Sequence, residues 1–100
     1  MLFEWDPSKN SSNIRKHGIS FEQAVYVFTD RDALSIFDDG HSDLEDRWIT
    51  IGLIPGGNVL VVIHTDRIYI KNKEVVRIIS ARKATDKETA DYYKARKGSK

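Results

Sequence analysis

The chain has 100 residues, of which 40% are hydrophobic and 31% charged, with no cysteine and 16 basic side chains against 15 acidic ones. A length near 100 residues predicts a single domain, 1–100, around one core. The near-balance of charge excludes the highly charged, apolar-poor composition of disordered chains. Without cysteine neither a disulfide framework nor a thiolate zinc site can form. The opening MLFEWDPSKN is too polar for a signal peptide, and the longest apolar run, Val59–Ile63, is too short to span a membrane. The expectation is a cytoplasmic protein.

The elements follow in chain order. Asp6 before Pro7 is a helix start, and Gly18 after Lys16 and His17 is a stop, so a polar surface helix is predicted between them. Ser20 and Gln23 form a capping box opening a second helix, with Phe21, Ala24, Val25 and Phe28 as its apolar face and an end near Asp30. Ala33–Phe37 reads as a strand and is followed by the acidic loop DDGHSDLED. Arg47–Ile54 alternates as a strand, Pro55–Asn58 is a turn, and Val59–Thr65 is apolar on both faces, as a central strand should be. A turn near Lys71–Lys73 leads into Glu74–Ala81. Thr85 and Glu88 form another capping box, so a last helix is expected from Asp86 to Lys97, stopped by Gly98. The order predicts an α+β domain: two N-terminal helices, an antiparallel sheet of about four strands and a C-terminal helix.

The net charge of +1 conceals a division. Residues 1–66 carry 5 basic and 11 acidic side chains, whereas residues 67–100 carry 11 and 4. A basic half of this kind suits a polyanionic partner such as nucleic acid, or is simply a solvated face.

The chemistry-bearing candidates are few. His17 ends the first helix beside Lys16, where it either caps the helix dipole or transfers protons. His64 shares parity with Leu60 and Val62 yet falls at the polar end of its strand; a core histidine and a functional one fit it equally. Asp38, Asp39, His41 and Asp43 match no calcium-loop spacing and read as a solvated turn, so no metal or cofactor is expected. No serine–histidine elbow, phosphate-binding loop or dinucleotide motif is present. The arginines say more. Arg77 lies among apolar neighbours in the last strand, in parity with Val75 and Ile79, while Arg82 shares parity with Ser80 and Ile78. Such arginines either form structural ion pairs, with Glu45 or Asp46 for instance, or gather as forks for phosphate.

The blocks FEWDPSKN, NIRKHGISFEQAVYVF, Glu45-Asp46-Arg47-Trp48 and VRIISARKAT, with Tyr92 beyond them, resemble the BrnT family of toxins from type II toxin–antitoxin modules. The resemblance runs from Phe3 to about Tyr92. It implies a RelE-like fold, ribonuclease activity that inhibits translation, and a cognate BrnA-like antitoxin with a ribbon-helix-helix domain. That partner is expected as a dimer or pair of dimers with two toxins, and promoter DNA would be bound only through it.

Metal-independent cleavage would use the substrate's 2′-hydroxyl as nucleophile. Arg77 and Arg82 are then the expected phosphate ligands, assisted by Arg67 and Lys83. His64 leads the acid–base candidates, ahead of His17 and Glu45. Lys16, Lys94, Arg96 and Lys97 would steer RNA by charge. A non-catalytic module docking an acidic partner is the competing reading, and a DNA-binding regulator is weaker because no helix has a clustered basic face.

Overall fold

A computed structural model describes residues 1–41 and 46–98 and shows an α+β fold. Strand β1 (Leu2–Glu4) precedes helix α1 (Pro7–His17) and the short helix α2 (Phe21–Ala24), which tightens into a 3₁₀ segment over Val25–Thr29. Strands β2 (Leu34–Phe37), β3 (Arg47–Leu53), β4 (Val59–Thr65), β5 (Ile68–Ile70) and β6 (Lys73–Lys83) follow, and helix α3 (Asp86–Gly98) closes the chain. The sheet order is β1-β6-β4-β3-β2, with β5 also pairing β6.

The expected boundaries hold where local chemistry fixes them. The Asp6 side chain accepts from the Ser8 N–H, and Gly18 ends α1 at φ 70°. Both arms of the Ser20–Gln23 box form, as do those between Thr85 and Glu88. Two strands go beyond the expected four. β1 is three residues long and runs parallel to β6, a pairing with no local signature. β5 forms a hairpin with β6 through Lys71 and Asn72, both at positive φ, the geometry of a tight two-residue turn.

One face of the sheet is covered by α2 and its 3₁₀ extension. Phe21, Ala24 and Val27 pack there with Leu60, Val62, Val76, Ile78 and Ala81. Gly52 permits this approach, because a Cβ at that position would lie 3.0 Å from the Val27 Cβ and 3.2 Å from its carbonyl oxygen. α1 closes an edge. Beyond Arg77, where β1 ends, the Asn13 amide donates to the Ala81 carbonyl at 2.8 Å and accepts from its N–H at 3.1 Å. A side chain thus replaces a neighbouring strand. α3 is held in its first turn by Arg82 to Glu88 and at its middle by the Tyr92 hydroxyl donating to Asp30.

A bulge in β6 corrects the expected parity. Ile63 faces Ser80 but His64 faces Ile78, so Ile79 is an extra residue. Val76 and Ile78 point into the core before it and Ala81 after it. Arg77 and Arg82 therefore share the opposite face, rather than dividing between two. No helix among the described residues is long and apolar enough to cross a membrane.

Candidate active site

The chain breaks step between β4 and β5. Asp66 and Arg67 leave the strand, with the Asp66 N–H donating to the Asp46 carbonyl at 3.3 Å and the Arg67 N–H to the Asp66 carboxylate at 2.8 Å. Thr65 Oγ1 accepts from the Arg77 N–H at 3.1 Å, which ties the break to β6. A cleft of about 450 Å³ opens here, lined by Glu4, Asp46, Thr65, Asp66, Arg67 and Arg77 among others. Its two guanidinium groups rest on carboxylates, Arg67 on Glu74 at 3.2 Å and Arg77 on Glu4 at 3.5 Å. The Arg67 and Arg77 side chains are 61% and 39% exposed, so an incoming anion can reach both.

A smaller pocket of about 190 Å³ adjoins the cleft, sharing Thr65, Asp66 and Arg67 with it and adding Trp48 and His64. His64 is 6% exposed. Its Nδ1 lies 2.8 Å from the Thr65 carbonyl and its Nε2 2.6 Å from Thr50 Oγ1. Burial lowers its pKa below the ordinary histidine value, more than the Thr65 hydrogen bond raises it. The ring is accordingly neutral. Since a carbonyl only accepts, Nδ1 carries the hydrogen and Nε2 accepts from Thr50, which in turn accepts from Ser35 at 2.8 Å. Phe28 stands edge-on to the ring at 4.8 Å. Both nitrogens are thus engaged within the protein.

The profile described as "Ribonuclease toxin, BrnT, of type II toxin-antitoxin system" matches residues 5–88. The chain belongs to the BrnT family. The structure is also similar to the 1.1 Å crystal structure of the ribonuclease toxin BrnT of Brucella abortus, at 24% identity and a TM-score of 0.59. That match covers 86% of this chain and 100% of the other. No curated protein sequence matches.

Within this BrnT-family fold the expected site residues part company. His64, Arg67 and Arg77 come together around the break. Arg82 and Lys83 lie at the far end of β6, some five residues or about 15 Å along the strand from Arg77. There Arg82 forms a bidentate pair with Glu88, at 2.7 and 2.9 Å. His17 and Lys16 line a separate groove of about 170 Å³ beside Ser80. Lys94, Arg96 and Lys97 belong to α3, and Arg96 pairs with Asp32 at 3.1 Å. Glu45 and Asp43 lie outside the described residues.

Glu4 and Asp66 are cleft residues that the sequence did not single out, while Asp46 stood there only as an ion-pair partner and Trp48 only within the resemblance. Glu4 arrives through the short parallel strand, for which no periodic signal exists. Asp66-Arg67 carried a readable one: two charges directly after an apolar strand.

Proposed function

We propose that the chain is a metal-independent endoribonuclease that inhibits translation by cutting RNA at the Arg67–Arg77 cleft. The observation that carries this reading is two exposed guanidinium groups and the carboxylates of Glu4, Asp46 and Asp66 around one opening. Guanidinium forks match the geometry and charge of a phosphate, and their pull grows as charge builds on the phosphoryl oxygens. Glu4, beside Arg77, takes the proton of the 2′-hydroxyl as that oxygen attacks phosphorus. The bond to the 5′-oxygen breaks, water supplies its proton, and a 2′,3′-cyclic phosphate remains. His64 acts as a positioning residue, holding Thr65 and through it the Arg77 backbone. Since the nucleophile is the 2′-hydroxyl, DNA is bound but not cut. Lys16, His17, Lys94 and Arg82 lie outside this chemistry.

In the cytoplasm such a toxin needs an inhibitor, and a BrnA-like ribbon-helix-helix antitoxin fills that role by covering the cleft with acidic side chains. A dimeric antitoxin gives a complex with two toxins, and promoter DNA is bound through the antitoxin alone. The test is cleavage of single-stranded RNA in EDTA, followed by analysis of the ends. A 2′,3′-cyclic phosphate is expected; activity lost to chelation and restored by magnesium would refute the mechanism. A pure docking module would cut nothing and leave growth unaffected on induction.

A further inference from the structure

Helix α1 carries Lys9, Arg15, Lys16 and His17 and no acidic residue between Pro7 and His17. Spacings of three and four residues put Lys9, Ser12 and Lys16 on one face of the helix. That face meets β6 in the 170 Å³ groove, whose other walls include His17, Ile79 and Ser80. No carboxylate is among the described residues that line it, and Lys16 and His17 pair with none elsewhere among them. Asp6 attracts Lys9 from outside the groove, its own carboxylate held by the Ser8 N–H at 2.8 Å. Lys9, Lys16 and His17 are exposed, so a ligand can reach all three. Ser12 Oγ accepts from Arg15 at 3.1 Å, which leaves its O–H to donate, and the Ser80 hydroxyl has no partner among the described residues. Buried Asn13, bonded to both backbone groups of Ala81, fixes the helix against the strand here. Cations in a last turn complement the helix dipole, but that leaves Lys9 in the first turn and the two hydroxyls unexplained.

The groove also continues the cleft. Ala81 points into the core, so Ser80 turns to the face of Arg77 and Arg82, three residues or at most about 10 Å along β6 from Arg77. We propose that the groove is a second phosphate site, where Lys9, Lys16, His17, Ser12 and Ser80 hold the RNA backbone a few nucleotides from the bond cut at the Arg67–Arg77 cleft. Ammonium and hydroxyl donors grip phosphate without reading bases, so the site sets the affinity and placement of the strand rather than a sequence preference. The inference rests on the ribonuclease reading in taking RNA as the ligand.

A 2′-O-methyl oligonucleotide of about ten residues tests it on the intact chain, since it offers no nucleophile and fluorescence anisotropy reads its binding. Lys9→Gln/Lys16→Gln should raise the dissociation constant about tenfold and flatten its logarithmic salt dependence by about 0.7, the share of one phosphate on a single strand. A 2′-O-methyl dinucleotide, too short to span cleft and groove, should bind this variant and the unmodified chain equally. Lys71→Gln/Lys87→Gln removes the same charge elsewhere and should change neither reading. Ser12→Glu sets a carboxylate in the groove four residues before Lys16, a spacing that favours the helix, and should weaken binding without lowering the melting temperature. Unaltered affinity in Lys9→Gln/Lys16→Gln or in Ser12→Glu, or an equal loss in Lys71→Gln/Lys87→Gln, would overturn the site. A loss confined to antitoxin binding would overturn it too, giving the groove to a protein partner. Oligonucleotide held by the groove with no RNA cut removes the ribonuclease reading and leaves the site. RNA cleavage with a groove indifferent to these substitutions does the reverse.

Discussion

Five positions separate Arg77 from Arg82 on β6, and their partners differ in kind. Arg77 meets Glu4 at 3.5 Å in a pair 39% and 44% exposed, whereas Arg82 is clamped by both oxygens of Glu88. Exposed pairs contribute about 0–1 kcal/mol, so Arg77→Ala should leave stability within that range. It should lower RNA cleavage by about 10²-fold, the usual loss for one charge-stabilising donor. Arg82→Ala should do the opposite, costing about 1 kcal/mol in urea unfolding and sparing cleavage. Cleavage equal to the unmodified chain in Arg77→Ala would remove that residue from the site. His64 adds a pH signature. Its folded pKa lies below the unfolded value, so the neutral ring favours folding above about pH 6.5. Below that, the unfolded chain takes up the proton more readily and stability falls. Urea titrations from pH 8 to 5 should show this slope, and His64→Asn should lack it.

At the scale of elements, α3 depends on polar tethers more than its sequence suggests. Burial raises the Asp30 carboxyl, yet N–H groups of Leu53 and Asp32 and the Tyr92 phenol outweigh it, and the net shift is downward. The phenol is correspondingly pushed up to about 12, by burial first and then by Asp30. Tyr92→Phe should therefore cost about 1–2 kcal/mol in thermal or urea unfolding, with cleavage unaffected because the cleft lies at the opposite end of β4. Caps and central strand were readable because Asp6-Pro7, Ser20…Gln23, Thr85…Glu88 and the Val59–Ile63 run act through neighbours in sequence. β1, β5 and the Ile79 bulge were not. A three-residue strand has no period, and a bulge shows itself only when its partner's register is known. That bulge decided which face Arg82 occupies, so parity alone misplaced it.

Across the whole molecule the arginines of the second half divide: Arg67 and Arg77 line the cleft, whereas Arg82 pairs with Glu88 on α3 and Arg96 belongs to that helix. Sequence composition allowed either a polyanion-binding or a merely solvated basic half, and the sequence offered His64, Arg67 and Arg77 as candidates without separating them from Arg82 and Lys83. Glu4 was not among them, because it comes from the acidic half through a parallel pairing 73 residues away. An antitoxin that covers this cleft should lose its hold as salt rises, with the dissociation constant increasing between about 50 and 200 mM. It should bind Arg67→Ala and Arg77→Ala more weakly than Arg82→Ala, as read by titration of the co-purified complex. Equal affinity for all three variants would place the inhibitor on another face.

The Asn13 amide also bears on how the protein behaves in a crowded solution. Past the end of β1, the Ala81 N–H and carbonyl would otherwise stand open on a long strand, ready to template a stranger. A single carboxamide occupies both groups and gives an arriving chain nothing to zip onto. Colloidal behaviour, as much as folding stability, thus hangs on one side chain of a polar surface helix.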